Sequence, residues 1–272
     1  MQLPDSDKAF TGAIPELYEQ YLVPMIFAPY AADLARRAAA LRPARVLELA
    51  AGTGALTREL ARSLPPQAAI VATDLNPPML ERAQVVGTSR PIAWQVADAM
   101  RLPFDDGSFD LVACQFGVMF FPDKAAAFAE ARRVLAPGGT LLFNVWDRIE
   151  DNHFTHTVCQ ALAQLFPDAP PDFMMRTPHG YYRQAEIAAH LRQGGFLAAP
   201  AVETLPSTSV AASPRIAAMA LCQGTPLRAD LEARGTDALQ HATDCCEQAL
   251  AQAFGTGSIK GRMQAHVVTV PA

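Results

Sequence analysis

One short stretch limits the possible folds of this chain more than any other. Residues 46–57 have the sequence VLELAAGTGALT, in which apolar residues and one glutamate run into a loop of small residues. The residues after this loop have the pattern of a helix. Nucleotide-binding folds begin with a strand, a glycine loop and a helix, and the ligand meets the backbone at that turn. The open question is whether such a ligand is a dinucleotide, a triphosphate or an adenosyl group without phosphate.

Strands and helices are predicted to alternate after this point. This order predicts a parallel sheet with helices on both faces. The strand segments are nearly continuous apolar runs, as expected for strands that are buried on both sides. The predicted strands are 45–50, 68–74, 91–98, 109–116 and 139–146, and the predicted helices are 54–63, 77–86 and 124–136.

Three further regions lie outside the alternation. Residues 14–41 have a helical pattern that we expect to be interrupted at Pro24 and Pro29, because proline removes a backbone donor. Residues 148–183 are polar and aromatic. Residues 213–254 are mainly helical and lie between predicted strands at 201–205 and 263–270. We expect one domain over residues 1–272 with helical additions.

Composition excludes several classes of protein. The net charge is -5 and there is no run of five or more basic residues, so we expect no nucleic-acid partner. The apolar runs are too short to span a bilayer, and the first residues do not form a signal peptide. Five cysteines without zinc spacing indicate thiols in a reducing cytoplasm. His153 and His156 lack a third ligand, so no metal is predicted.

The glycine loop does not match the phosphate-binding patterns. A triphosphate loop needs lysine and then serine or threonine after its second glycine, whereas Ala55 and Leu56 follow Gly54 here. The dinucleotide pattern needs a third glycine or alanine, but counting from Gly52 and Gly54 that position is Thr57.

Three acidic residues lie at or near the carboxyl ends of three successive predicted strands. Glu48 lies within the first strand, and a buried carboxylate there favours a cationic group over a pyrophosphate. Asp74 ends the second strand, where a carboxylate can bind ribose hydroxyls. Asp98 ends the third, where it can accept a hydrogen bond from the amino group of adenine. These acids favour a ligand that has an amino group, a ribose and an adenine.

This set of motifs resembles the class I S-adenosylmethionine-dependent methyltransferases, and most closely the ubiquinone and menaquinone methyltransferases. The resemblance covers roughly residues 44–145. It implies an α/β fold with a doubly wound, mostly parallel, seven-stranded Rossmann-like sheet whose last strand is antiparallel. The matching segments are ELAAGTG at 48–54, DL at 74–75, ADA at 97–99, LPF at 102–104, SFD at 108–110 and VLAPGG at 134–139.

The resemblance also implies which residues contact S-adenosylmethionine. Alanine stands at position 50, where the family usually has glycine, and we expect it to keep a negative φ. Leu75 and Met79 are expected near the ribose and adenine, and the backbone of Gln115 near the methionine part. Tyr18, with Tyr21 and Phe27, is expected to form an aromatic lid. The full predicted set is Tyr18, Glu48, Ala50, Gly52, Gly54, Asp74, Leu75, Met79, Ala97, Asp98, Ala99 and Gln115.

The implied function is methyl transfer to a small, apolar or aromatic acceptor. Residues 1–43 would be an N-terminal helical cap, 44–147 the cofactor-binding core, and 148–183 and 213–254 substrate-cap insertions. No catalytic residue is required by the sequence, because the sulfonium is already activated. The alternatives are an NAD(P)-dependent oxidoreductase and an S-adenosylmethionine-binding protein that does not transfer methyl groups. The acceptor and the oligomeric state stay open.

Overall fold

A single seven-stranded sheet forms the centre of the computed structural model, which describes residues 4–272. The strand order is β3-β2-β1-β4-β5-β7-β6, mostly parallel with the last strand antiparallel, so the predicted fold class is confirmed. The strands are β1 Arg45–Leu49, β2 Ala69–Asp74, β3 Ala93–Val96, β4 Phe109–Gln115, β5 Leu135–Trp146, β6 Ala201–Ala211 and β7 Ile259–Pro271.

The central strands place their carboxyl ends at one edge of the sheet. β1 pairs in parallel with β2 on one side and with β4 on the other, so that Glu48 lies opposite Ala72 and Ala113. Four of the five residues of β1 are buried, which accounts for its apolar sequence. The residues that follow β1, β2 and β4 are therefore brought close together.

Most helices begin and end at residues that the sequence marks. Asp123 accepts a hydrogen bond from the backbone of Ala126 at 2.9 Å and caps α5. Ser213 caps α9 with Pro214 at its first position. The helices are α1 Ile14–Leu17, α2 Ala28–Ala40, α3 Ala55–Ser63, α4 Pro77–Val86, α5 Lys124–Val134, α6 His153–Leu165, α7 Phe173–Arg176, α8 Gln184–Gln193, α9 Pro214–Gln223, α10 Leu227–Glu232 and α11 Ala238–Phe254.

The predicted interruptions at Pro24 and Pro29 are wrong. A π-helical segment, Tyr18–Phe27, joins α1 to α2, so that helical backbone runs from Ile14 to Ala40. Pro24 lies inside the π-helical segment, whose wider turns accommodate a residue without an N–H. Pro29 is the second residue of α2, which continues directly from the π-helical segment, and it does not interrupt the helical backbone either.

Strands β3, β5, β6 and β7 differ by several residues from their predicted bounds: β6 extends to Ala211, and β7 runs from Ile259 to Pro271. β3 is short and half-exposed, and it ends at Val96 rather than at residue 98. β5 begins directly after α5 at Leu135, before the Pro137-Gly138-Gly139 turn that was expected to precede it. Its pairing with β4 shifts register between Phe109 and Leu111, so that the turn forms a bulge within the strand.

The chain divides into two compact units. The first unit contains residues up to Phe27, Trp146–Gly180 and Pro206–Gln264 and is mainly helical. The second unit contains Ala28–Val145, Tyr181–Leu205 and Ala265–Ala272 and holds most of the sheet. The arrangement as one domain over residues 1–272 stays a prediction.

Within residues 4–272, no helix has the length and apolar character that crossing a membrane requires.

Candidate functional site

The loop from β1 to α3 has an unusual backbone. Ala50, Gly52 and Gly54 all have positive φ, at 50°, 56° and 84°. The expected negative φ of Ala50 is therefore wrong, because the loop turns left-handed at the position where the family usually has glycine. A non-glycine residue in this region costs about 1–2 kcal/mol. Such strain concentrates at binding sites, where the surrounding structure holds it in place.

The two glycines of the loop are required for different reasons. A Cβ atom on Gly52 would lie 3.5 Å from the Cε atom of Met79, an ordinary contact distance, so it is the positive φ that favours glycine there. A Cβ atom on Gly54 would lie 3.2 Å from Trp94 and 3.3 Å from Ala83, closer than most real contacts. At Gly54 both the positive φ and the close packing favour glycine.

Asp74 forms hydrogen bonds with the glycine loop, with the start of α4 and with the segment that follows β3. Its Oδ2 atom accepts a hydrogen bond from the backbone of Gly52 at 2.8 Å, and its Oδ1 atom accepts one from the backbone of Asn76 at 2.8 Å. Its carbonyl oxygen accepts from the backbone of Ala97 at 3.0 Å. A carboxylate has about four acceptor positions, and these two hydrogen bonds with a weaker one from Asn76 Nδ2 at 3.4 Å use three of them. Burial raises the pKa of Asp74, while the Asn76 and Gly52 hydrogen bonds act against this rise.

Glu48 is almost completely buried, with 1% of its surface exposed. Its Oε2 atom has no hydrogen-bond partner among the residues that the structure describes. Burial raises the pKa of Glu48 to about 8, although nearby Thr57 and Arg58 lower it. A buried acceptor without a partner requires an explanation, and a donor on a bound ligand would provide one.

Asp98 lies beyond β3 rather than at its end, because that strand stops at Val96. Its Oδ1 atom accepts a hydrogen bond from the backbone of Met100 at 2.9 Å and so stabilises the turn that reaches Arg101. Ala99 is buried within this turn. The predicted contact of Asp98 with adenine stays a prediction.

The apolar residues of the predicted set differ in exposure. Leu75 exposes 49% of its surface, which is high for a large apolar residue, whereas Met79 is buried under the glycine loop. Gln115 is the last residue of β4 and pairs with Asn144 of β5. These positions fit the predicted cofactor contacts but do not test them.

Tyr18 lies in the first unit, at the start of the π-helical segment. Its ring stacks on Phe27 with 4.9 Å between the centroids. Its predicted role toward the cofactor stays a prediction.

A second strained turn, at Phe116 and Gly117, escaped sequence reasoning. Phe116 has a φ of 50°, and its backbone N–H donates to the Oδ1 atom of Asn144 at 2.9 Å. A Cβ atom on Gly117 would lie 2.5 Å from the Cβ atom of Ala50, so only glycine fits there. The one sequence signal was Asn144, a polar residue inside an otherwise apolar strand.

Comparison with known proteins identifies the class of this core. Residues 47–143 match the family model described as "Methyltransferase domain". This segment is similar to methyltransferase domains. The matched segment begins inside β1 and ends inside β5, so it contains the glycine loop, Asp74, Asp98 and Gln115. The predicted resemblance is confirmed for this segment.

A curated relative is similar in sequence over this segment, and a solved structure shares the fold. A demethylmenaquinone methyltransferase from Deinococcus radiodurans is 45% identical over 114 residues, which cover 39% of this chain and 47% of that protein. The match thus spans about half the length of the relative. Phosphoethanolamine N-methyltransferase 2 from Haemonchus contortus has a TM-score of 0.58 at 16% identity, over 94% of this chain and 56% of that one.

Another solved structure has the same fold but is named for a different reaction. The [4+2]-cyclase SpnF has a TM-score of 0.51 at 19% identity, over 89% of this chain and 80% of that one. Fold alone therefore does not determine the reaction, which has to be argued from the residues of the site.

Proposed function

We propose that this protein transfers a methyl group from S-adenosylmethionine to a small organic acceptor. The observation that supports the proposal most is the buried Glu48, whose Oε2 atom lacks a partner among residues 4–272 and lies in the strand before the glycine loop. A cationic ligand can draw this carboxyl group into its ionised form and pair with it, whereas the pyrophosphate of a nicotinamide cofactor offers it no positive charge.

The residues in and near the glycine loop, and those at or after the carboxyl ends of β2 and β3, fit the parts of this cofactor. Glu48 would pair with its positively charged methionine part, and Asp74 would accept from the ribose hydroxyls. Gly52 would allow close approach of the backbone. Asp98 and the exposed Leu75 would contact the adenine. S-Adenosylmethionine, when bound, supplies a methyl group that is already activated on a sulfonium.

The chain's own contribution to such a reaction is alignment and exclusion of water. Holding the donor and the acceptor in line can lower the barrier by up to ~7–11 kcal/mol. The rigid strand ends and the strained turns at Ala50 and Phe116 suit this role, because their backbone is held by packing and hydrogen bonds.

We propose an apolar or aromatic acceptor. The relative from Deinococcus radiodurans is named for demethylmenaquinone, a quinone, and the regions outside the core are rich in Phe, Met and Tyr. We further propose that the protein works in the cytoplasm, since its five cysteines are free thiols. No nucleic-acid partner is proposed.

Methyl transfer is tested with S-adenosylmethionine that is radiolabelled on its methyl group. The purified chain is incubated with a panel of quinols, phenols and amines, and the label is followed into organic extracts. We expect label transfer to at least one aromatic acceptor, with S-adenosylhomocysteine formed in equal amount. Tight cofactor binding without transfer to any acceptor would instead support the non-methyl alternative.

A further inference from the structure

The turn after β4, at Phe116 and Gly117, packs against the glycine loop after β1. A Cβ atom on Gly117 would lie 2.5 Å from the Cβ atom of Ala50 and 2.7 Å from the Sγ atom of Cys114. Gly117 has a φ of -102°, in a region that residues with side chains also adopt, so glycine is needed there for space alone. The side chain of Ala50 therefore lies directly on the backbone of this turn.

Both turns are strained at a residue that has a side chain. Ala50 and Phe116 each have a φ of 50°, a left-handed conformation that is unfavourable for any residue except glycine. Such a backbone persists only where the surrounding structure holds it. The ring of Phe116 packs edge-on against Tyr30, with 5.3 Å between the centroids, and both rings are buried. The turn after β4 is thus anchored in the core, and Ala50 rests against this anchored turn.

Asn144 of β5 holds the backbone of the same turn. The N–H of Phe116 donates to the Oδ1 atom of Asn144 at 2.9 Å and, at 3.3 Å, to its carbonyl oxygen. Asn144 exposes none of its surface, and its Nδ2 atom has no hydrogen-bond partner among the described residues. A leucine would be buried there at lower cost, so the hydrogen bond to the turn is what an asparagine contributes at this position.

We propose that Asn144 is a positioning residue for the cofactor. This inference rests on the proposed function. The Oδ1 atom of Asn144 holds the turn, Gly117 of the turn supports Ala50, and Ala50 fixes the left-handed start of the glycine loop; all of these residues belong to the second unit. The backbone of such a loop is where the ligand binds, and a loop that is already held in shape binds without a further ordering cost.

A double-mutant cycle tests the contact between the two turns. All four proteins carry Cys114→Ala, which removes the Sγ atom and leaves Ala50 as the close neighbour of a Cβ atom at position 117. Affinity for S-adenosylhomocysteine is measured by calorimetry. We expect Gly117→Ala to lower it roughly tenfold, as overpacking does, but less than about twofold when Ala50→Gly is also present. The same effect of Gly117→Ala in both backgrounds, whether a loss or none, would overturn the inference.

Two substitutions of similar size test Asn144 itself. Asn144→Leu removes the acceptor, and we expect affinity for S-adenosylhomocysteine to fall roughly tenfold, as the loss of one buried hydrogen bond allows. Asn144→Asp keeps an acceptor oxygen there in either protonation state and lacks only the unpaired Nδ2 donor, so it should retain most of the affinity. A loss as large in Asn144→Asp as in Asn144→Leu, or unchanged affinity in both, would refute the positioning role.

Hydrogen exchange separates this role from a general loss of stability. In Asn144→Leu without ligand, the backbone amides of residues 50–54 should exchange faster than in the wild type, although position 144 lies on another strand. Asp110→Ala is the matched control, because it also removes an acceptor from backbone N–H groups, those of Ala44 and Arg45, at the opposite end of β1. That variant should leave exchange at residues 50–54 unchanged.

The outcomes distinguish this inference from the proposed function. Equal exchange of the amides of residues 50–54 in the wild type and in Asn144→Leu would contradict the positioning role. If the wild type binds S-adenosylhomocysteine and the tests above fail, only the role of Asn144 is lost. If the wild type does not bind it, the proposed function fails, while hydrogen exchange still tests whether Asn144 holds the loop.

Discussion

The two units bury acidic side chains in opposite ways. In the first unit, Asp7 is buried and satisfied: Arg176 donates to it from two nitrogens, at 2.8 and 3.2 Å, and Thr177 donates from its hydroxyl. In the second unit, Glu48 is equally buried, yet its Oε2 atom has no hydrogen-bond partner among the described residues, although Thr57 and the charge of Arg58 act on its carboxyl group.

This difference separates structural burial from functional burial. A buried charge is expensive unless a partner is supplied, and the first unit supplies one from its own sequence. In the second unit, the Oε2 atom of Glu48 lacks a hydrogen-bond partner among the described residues and lies beside a strained glycine loop. Unpaired polar atoms next to strained backbone distinguish a preformed ligand site from a folded core.

Removing Arg176 should have the largest effect on stability. Arg176→Met leaves the Asp7 carboxylate buried without its cation, and we expect the free energy of unfolding to fall by roughly 3–5 kcal/mol. Chemical denaturation measures this loss. Arg62→Met is the control, because Arg62 pairs with Glu59 on an exposed helix surface and should cost less than about 1 kcal/mol. Equal losses in the two variants would contradict the contrast.

Filling the glycine loop should abolish cofactor binding. Gly52→Val places a branched side chain at a φ of 56° and against Met79, and we expect affinity for S-adenosylhomocysteine to fall more than about 100-fold. Gly87→Val introduces similar backbone strain, at a φ of 79°, into open space. That control should lose stability but keep its affinity. Normal binding by a folded Gly52→Val protein would refute the loop assignment.

Asp74 should show a double role. Asp74→Ala removes two charge-assisted contacts to ribose, and we expect affinity to fall on the order of 100-fold. It also leaves the N–H groups of Gly52 and Asn76 without their acceptor, so stability should fall as well.

Asp110 supplies the control for Asp74. It accepts from two backbone N–H groups, those of Ala44 and Arg45, at the opposite end of β1. Asp110→Ala should therefore lose stability and keep its affinity for S-adenosylhomocysteine. Unchanged affinity in Asp74→Ala would exclude the ribose role.

Glu48 should make the free protein less stable as pH rises. Its pKa is about 8 when folded and 4.5 ordinarily, so the folded state holds the proton more tightly. The resulting stability is complete below about pH 4.5 and is lost as pH rises through 8. The Tm of Glu48→Gln relative to the wild type should therefore increase between pH 5 and 9.

Glu130 gives the opposite sign. Its hydrogen bonds and ion pair with Arg133 lower its pKa, so its contribution is present at high pH and lost as pH falls through that lowered value. Glu130→Gln should therefore lower Tm by a nearly constant amount between pH 5 and 9, where Glu48→Gln shows its rise, and by a smaller amount below about pH 4.5. The same trend in both variants would argue against a proton on Glu48.

Prediction from sequence succeeded where local signals fix an element. Helix α4 has the predicted bounds because Asn76 and Pro77 mark its start and Gly87 its end. The bounds of β3 were wrong because an edge strand keeps few partners and ends early. The predicted interruption at Pro24 was wrong because a π-helical turn accepts a proline that an α-helix would not.

Sequence found the chemistry of the site better than its geometry. Glu48 and Asp74 could be identified as candidate binding residues because both are acidic and both lie near the ends of predicted strands. The positive φ of Ala50 depends on a turn that is packed against Gly117, far away in sequence. The same holds for Asn144, whose role exists only once β4 and β5 are paired.

Titration calorimetry with S-adenosylmethionine, S-adenosylhomocysteine and NAD tests the central claim that Glu48 is left incomplete for a cationic adenosyl ligand. At pH 7 we expect the first two to bind and NAD not to bind. Glu48 holds a proton at that pH, so pairing with the cofactor's charge should release one. The heat of S-adenosylmethionine binding should therefore vary with the ionisation enthalpy of the buffer in the wild type and not in Glu48→Gln. Binding of NAD, or binding of S-adenosylmethionine with no difference between these two proteins, would contradict the account.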